Sequence, residues 1–110
     1  MSEQYRVVLT TTDSAEEAEE LGRGIVEQRL AACMQIVGPI RSIYRWEETI
    51  QNGQEWQCWI KTTTDCIERL TDFIKIHHSY DVPEIVVLDI TGGSPEYLSW
   101  VLAETRPSST

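Results

Sequence analysis

The sequence predicts an α+β fold in which a four-stranded antiparallel sheet carries two helices on one face. Gln35 to Lys61 reads as two long strands joined by a tight connection. Amphipathic runs lie on either side of that pair, and a shorter β-rich segment stands outside each run. The resulting order is strand, helix, two strands, helix, strand.

Tyr5 to Thr12 is the first strand, rich in β-branched residues and stopped by Asp13-Ser14. Either Ser14 with Glu17 or Asp13 with Glu16 can form a capping box, which satisfies the first free amides of a helix. Glu16, Glu17, Glu19 and Glu20 suit the positive end of that helix, so the acidic run reads as a solvated face rather than a cation site. Ala15, Ala18, Leu21, Gly22 and Ile25 form the stripe that packs on the sheet, with Gly22 permitting close approach.

Leu30 to Met34 leads into the second strand. Proline lacks a ladder donor, so Gly38-Pro39 predicts a bulge or bend, after which the strand resumes from Ile40 to Trp46. Two positions compete for the turn: Asn52-Gly53 is the strongest local hairpin signal, and Glu47-Glu48 would set a different register. The third strand runs to about Thr63 in either case.

Asp65 with Glu68 reads as another capping box, and Ile67, Leu70, Ile74 and His77 mark the buried stripe of a second helix ending near His78. Asp81-Val82-Pro83 breaks the chain, because a residue before proline is pushed to an extended conformation. Glu84 to Thr91 is the fourth strand, with an apolar centre from Ile85 to Leu88. Gly92-Gly93 turns the chain, Ser94 caps a last helix with Pro95 at its first position, and Leu98, Val101 and Leu102 form its packing edge. This is the split βαβ arrangement with a C-terminal helix added.

On the long arms, Ile40, Ile43, Tyr44 and Trp46, and then Trp56, Trp59 and Ile60, fall at both parities, so both faces need cover. Two helices shield one face. The other face and the arm tips are expected to meet another copy of the chain.

A length of 110 residues predicts a single domain over 1–110, with a core from about 5 to 105 and a frayed tail over 106–110. Nine basic against eighteen acidic residues give a net charge of -9, which argues against a nucleic-acid binder or an anionic-membrane adhesin. Small cations are the more natural partners, although the same balance also serves solubility. Cys33, Cys58 and Cys66 lie inside apolar runs and read as reduced thiols. No N-terminal apolar stretch follows a basic segment and no run is long enough to span a bilayer, so a cytoplasmic location is expected.

Five segments then carry a resemblance: Arg29-Leu30-Ala31-Ala32-Cys33, Tyr44-Arg45-Trp46-Glu47, Lys61-Thr62-Thr63, His77-His78-Ser79-Tyr80-Asp81-Val82-Pro83-Glu84, and Tyr97-Leu98-Ser99-Trp100. In this order they resemble the CutA family of divalent-cation tolerance proteins, from Val7 to about Glu104. The resemblance implies a ferredoxin-like trimer, similar in build to the PII signalling proteins, whose long second and third strands pair across subunits. It also implies a turn at Glu47-Glu48, with Asn52-Gly53 becoming a bend in the outgoing strand. This chain departs from the family pattern at Glu48, where glycine is usual, and at Ser79, where proline is usual.

No Gly-rich phosphate loop, Cys-x-x-Cys or His-x-x-x-His is present, and no enzyme is expected. The resemblance gathers Tyr44, Trp46, Lys61, His78, Tyr80, Glu84 and Trp100 near the arm and the loop after the second helix. Lys61, one of two lysines, beside Glu84 and tyrosine hydroxyls would give a polar pocket with apolar walls for a small anion or metabolite. The plainer alternative pairs Lys61 with Glu84 and assigns the aromatics to interface packing.

For a metal, His78, Glu84 and Cys33 are the candidate ligands. Adjacent helical side chains diverge by about 100°, so His77 and His78 do not share an ion. His77 lies on the apolar stripe and reads as a core histidine. Cys33 offers soft character suited to Cu(I), against the plainer reading of an inert buried thiol. No complete ligand set is visible, and no cofactor is required. The expected function is a homotrimeric divalent-cation tolerance protein that binds copper or a similar divalent ion and takes part in the response to metal ions. Its expected partners are itself and the ion, with neither nucleic acid nor membrane. The alternative is a PII-like sensor trimer holding a small metabolite between subunits.

Overall fold

The computed structural model describes residues 4–107. Along the chain run β1 (Tyr5–Thr12), α1 (Ala15–Glu27), β2 (Cys33–Trp46), β3 (Thr49–Thr63), a 3-10 turn (Thr64–Cys66), α2 (Ile67–His77), β4 (Val86–Asp89) and α3 (Pro95–Glu104). The strands form one antiparallel sheet in the order β2-β3-β1-β4. This is the ferredoxin-like α+β architecture. Of the tail expected at 106–110, Arg106 and Pro107 follow α3, and 108–110 lie outside the described residues.

The core forms between α1, α2 and one face of the sheet. Ala18, Leu21 and Ile25 come from α1, Leu70 and Ile74 from α2, and Val8, Cys58 and Ile60 from the strands. Each Val, Leu or Ile side chain so enclosed contributes about 1.5–3 kcal/mol. Burial also pushes the Cys58 thiol up to about 11, helped by nearby Glu17, which marks it as a packing residue. The expected close approach at Gly22 is present, since a Cβ there would stand 2.8 Å from Met34 Cε.

Ser14 is the cap of α1, its Oγ accepting the Glu17 N–H at 3.1 Å. The Glu17 carboxylate does not close the box. It accepts instead from the Ser79 N–H at 2.8 Å and the Ser79 hydroxyl at 2.9 Å. The helix ends in a Schellman motif, with Leu30 N bonded to Ile25 O and Arg29 N to Val26 O. Arg29 takes the left-handed position, with φ of 59°.

The second strand bulges between Val37 and Ile40, as Gly38-Pro39 predicts. Gly38 is needed for packing, because a Cβ there would lie 2.3 Å from Trp56 Cδ1. The turn is Glu47-Glu48, flanked by the pair Trp46 and Thr49. Asn52 and Gly53 stay in the ladder opposite Ile43 and Ser42, so the expected bend there is absent. Glu47 and Glu48 adopt φ of 49° and 68°, the left-handed pair of a type I′ turn, which suits the twist of a two-residue hairpin.

Three further expectations are corrected. The Asp65–Glu68 capping box does not form: the 3-10 turn runs directly into α2, and Cys66 at the cap already has helical angles without a side-chain hydrogen bond. The fourth strand covers Val86–Asp89 rather than Glu84 to Thr91. His77 is exposed and stacks on Phe73 at 4.1 Å, whereas His78 is the buried histidine. The helix ends at His77 and His78 is extended, with φ of -80° and ψ of 145°, so helical periodicity no longer applies at the last position.

The left-handed backbone at Glu48 costs a non-glycine residue free energy. Glu48→Gly is expected to raise stability by about 1 kcal/mol, read from the urea midpoint at unchanged slope. An unmoved or lowered midpoint would show that the turn carries no such cost.

Candidate functional site

β1 stops pairing with β3 at Thr12 and Trp56, while the β2–β3 ladder continues to the turn. The outer hairpin therefore extends as a two-stranded ribbon. Ser42, Tyr44 and Trp46 share a face of β2, and the pairing of Ser42 with Gly53 and Ile40 with Glu55 puts Glu55 on that same face. The loop after α2 folds back over it.

A cleft of about 570 Å³ lies between ribbon and loop, lined by Thr11, Ser42, Ile43, Tyr44, Trp46 and Glu55, and by Tyr80, Asp81, Val82 and Glu84. The Tyr80 hydroxyl donates to Glu55 Oε2 at 2.8 Å. Burial, then the hydrogen bond and charge of Glu55, then Asp13, push the Tyr80 phenol well above the ordinary tyrosine range. Tyr80 therefore remains a neutral donor.

The loop is anchored behind the cleft by His78. Its Nε2 lies 2.7 Å from the Thr11 carbonyl and its Nδ1 lies 3.0 Å from the Tyr80 N–H. A carbonyl can only accept, so Nε2 carries the hydrogen and Nδ1 accepts from Tyr80. Both ring nitrogens are used within the fold. The two bonds from Ser79 to Glu17 hold the next residue, so Ser79 fixes this loop through polar contacts.

Of the residues expected at a pocket, the structure brings together Tyr44, Trp46, Tyr80 and Glu84. Lys61 is elsewhere, donating from Nζ to Gln35 Oε1, and so is not paired with Glu84. Trp100 is on α3 beside Tyr97, with ring centroids 5.6 Å apart, and lines a separate hollow with Ala31, Ala32 and Glu104. Glu55, Thr11 and Asp81 were not anticipated. Glu55 could have been found from strand alternation once the turn was known, since it falls on the face of Tyr44 and Trp46.

Of the expected metal donors, Cys33 is half-buried with Sγ 3.4 Å from the Tyr97 hydroxyl. That hydrogen bond, with burial, pushes the Tyr97 phenol up to about 12. Glu84 is in the cleft and His78 is committed to the backbone. Among the described residues, no three His, Cys, Asp or Glu side chains stand together as an ion site.

Sheet, helices and cleft together define a ferredoxin-like α+β protein with an open cleft beside its hairpin. The chain belongs to the CutA1 divalent ion tolerance protein family, whose model matches residues 6–104. It is similar to the chloroplastic CutA protein of Arabidopsis thaliana, at 43% identity over 100 residues. That alignment covers 91% of this chain and 55% of the plant protein, so the chain spans about half of its length. Among solved structures it is similar to the divalent cation tolerance protein of Thermus thermophilus, at 43% identity and a TM-score of 0.90, covering 93% of this chain and 99% of that one. The periplasmic divalent cation tolerance protein CutA of Archaeoglobus fulgidus matches with a TM-score of 0.90 at 32% identity, over 93% of this chain and 99% of that one. Among the described residues, no helix is long and apolar enough to cross a membrane.

Removing the His78 ring leaves the Thr11 carbonyl and the Tyr80 amide without partners. His78→Ala is expected to lower stability by about 2 kcal/mol, measured by urea unfolding. A parent-like midpoint would show that the ring is not a structural clamp.

Proposed function

We propose that this chain acts in divalent-cation tolerance as a homotrimer that binds copper or a similar divalent ion and catalyses no reaction, each subunit contributing 1–110 as one domain. Family membership supports the cation-tolerance role. One observation carries the assembly: Ile43, Trp46 and Ile50 are 72%, 53% and 68% exposed on a ribbon that β1 and β4 do not reach. A two-stranded ribbon with bare apolar side chains is unfavourable in water, and neighbouring copies would cover it. On the sheet face away from α1 and α2, Val86 and Leu88 add 43% and 42% exposed apolar surface.

A formal charge of -9 favours cations as partners. Cys33 and Glu84 are the donors we assign. Cys33 pairs with Lys61 across the ladder, whereas the cleft holding Glu84 forms around Glu55, about 20 Å further along β3. One chain therefore does not offer both to one ion, and binding is modest or shared between copies. His78 joins a ligand set only by giving up Thr11 or Tyr80. Free Cys33, Cys58 and Cys66 favour a reducing compartment, which we take to be the cytoplasm. The PII-like alternative draws no support from the relatives named above.

Light scattering at micromolar concentration is expected to give the mass of three chains, and Trp46→Asp to shift it toward single chains or aggregates. A single-chain mass for the parent protein would contradict the assembly. In calorimetric titrations with copper, Cys33→Ser and Glu84→Gln are each expected to weaken binding by about tenfold; parent-like affinity in both would remove the donor assignment.

A further inference from the structure

We propose that the cleft between the hairpin and the loop after α2 binds a small organic ammonium ion. The lining decides the sign of the ligand. It includes the carboxylates of Glu55, Asp81 and Glu84 and contains no Lys, Arg or His. The pocket expected from sequence, built on Lys61, would take an anion. With Lys61 bonded to Gln35 instead, the same cleft attracts a cation.

The walls decide its chemistry. Tyr44, Trp46 and Tyr80 line the cleft, and an aromatic face attracts a cation through the ring quadrupole. Tyr44, which is outside the set assigned to the interface, is 47% exposed and offers ring surface to a ligand, while Trp46 forms a wall whose outer side a neighbouring copy would cover. Tyr80 is spent as a donor to Glu55, so its hydroxyl fixes that carboxylate beside the rings. A bare metal ion is a poorer fit, because the carboxylates do not converge with a further donor to coordinate one. An alkylated ammonium needs no such convergence. It takes a diffuse negative field and contact with rings. The volume of about 570 Å³ suits a small molecule rather than an ion alone.

This site goes beyond divalent-ion binding and does not rest on it. The probe is choline, compared with its neutral isostere 3,3-dimethylbutan-1-ol, by isothermal titration of the assembled protein in low-salt buffer free of divalent ions. Choline is expected to bind about tenfold or more tightly than the isostere. Glu84→Gln, which keeps shape and removes one charge, and Tyr44→Ala, which removes one wall, are each expected to weaken choline by about threefold or more. Light scattering and circular dichroism verify that each variant keeps its assembly and fold. Equal affinity for the isostere, absence of choline binding, or choline affinity unmoved in a correctly assembled Glu84→Gln protein would overturn the proposal.

Discussion

The pairing of β3 on both its edges is the constraint from which the rest of the structure follows. From Lys61, opposite Val7 and Cys33, to Trp56, opposite Thr12 and the β2 bulge, it is a central strand, with β1 on one side and β2 on the other. Beyond that point only β2 accompanies it, out to the pair Trp46 and Thr49. The inner half is fixed by burial of Cys58 and Ile60 beneath α1 and α2. The outer half has no such cover, and the elongated outline of 47 × 30 × 22 Å reflects that overhang. Core, cleft and exposed ribbon are consequences of one strand outrunning its neighbour.

The cleft forms where the overhang begins. β4 could run further along β1, but pairing ends with Val86 opposite Leu9. Tyr5 accepts from Ile90 on the β4 side, and alternation along an antiparallel strand turns the Thr11 carbonyl to the same side. His78 occupies that carbonyl, so the chain is held off the sheet edge as a loop instead of continuing as a strand. The loop brings Tyr80, Asp81 and Glu84 to face Tyr44, Trp46 and Glu55. A buried histidine thus shapes the site without being part of its lining.

Local signals with one strong solution were legible in the sequence: the bounds of β1, the interruption at Gly38-Pro39 and the Ser94-Pro95 start of α3. Signals decided by distant packing were not. Asn52-Gly53 has the better turn chemistry, yet a turn there would slide the whole of β2 along β3 and take Met34 off Ile60. Glu47 and Glu48 accept left-handed backbone because the core sets the register first. Helical spacing put His77 inside, but the helix stops there and the next residue turns inward instead. The aromatic walls of the cleft were anticipated through the family resemblance. The cleft's sign was not, because Lys61 and Glu55 share one face of β3 and only distance along the strand separates them.

Family membership supports the proposed cation-tolerance role, and the geometry limits how such a role is performed. Ligand donors are scattered, aromatic and acidic groups are gathered, and bare apolar residues cap the ribbon. The central claim is that neighbouring copies hold the outer ribbon in place. Hydrogen exchange of the amides from Ile40 to Glu55 tests it most directly. The account expects these amides to be protected as strongly as those of β1 in the concentrated protein, and to lose that protection on dilution before β1 does. Rapid exchange of the ribbon at every concentration, beside a protected β1, would contradict it.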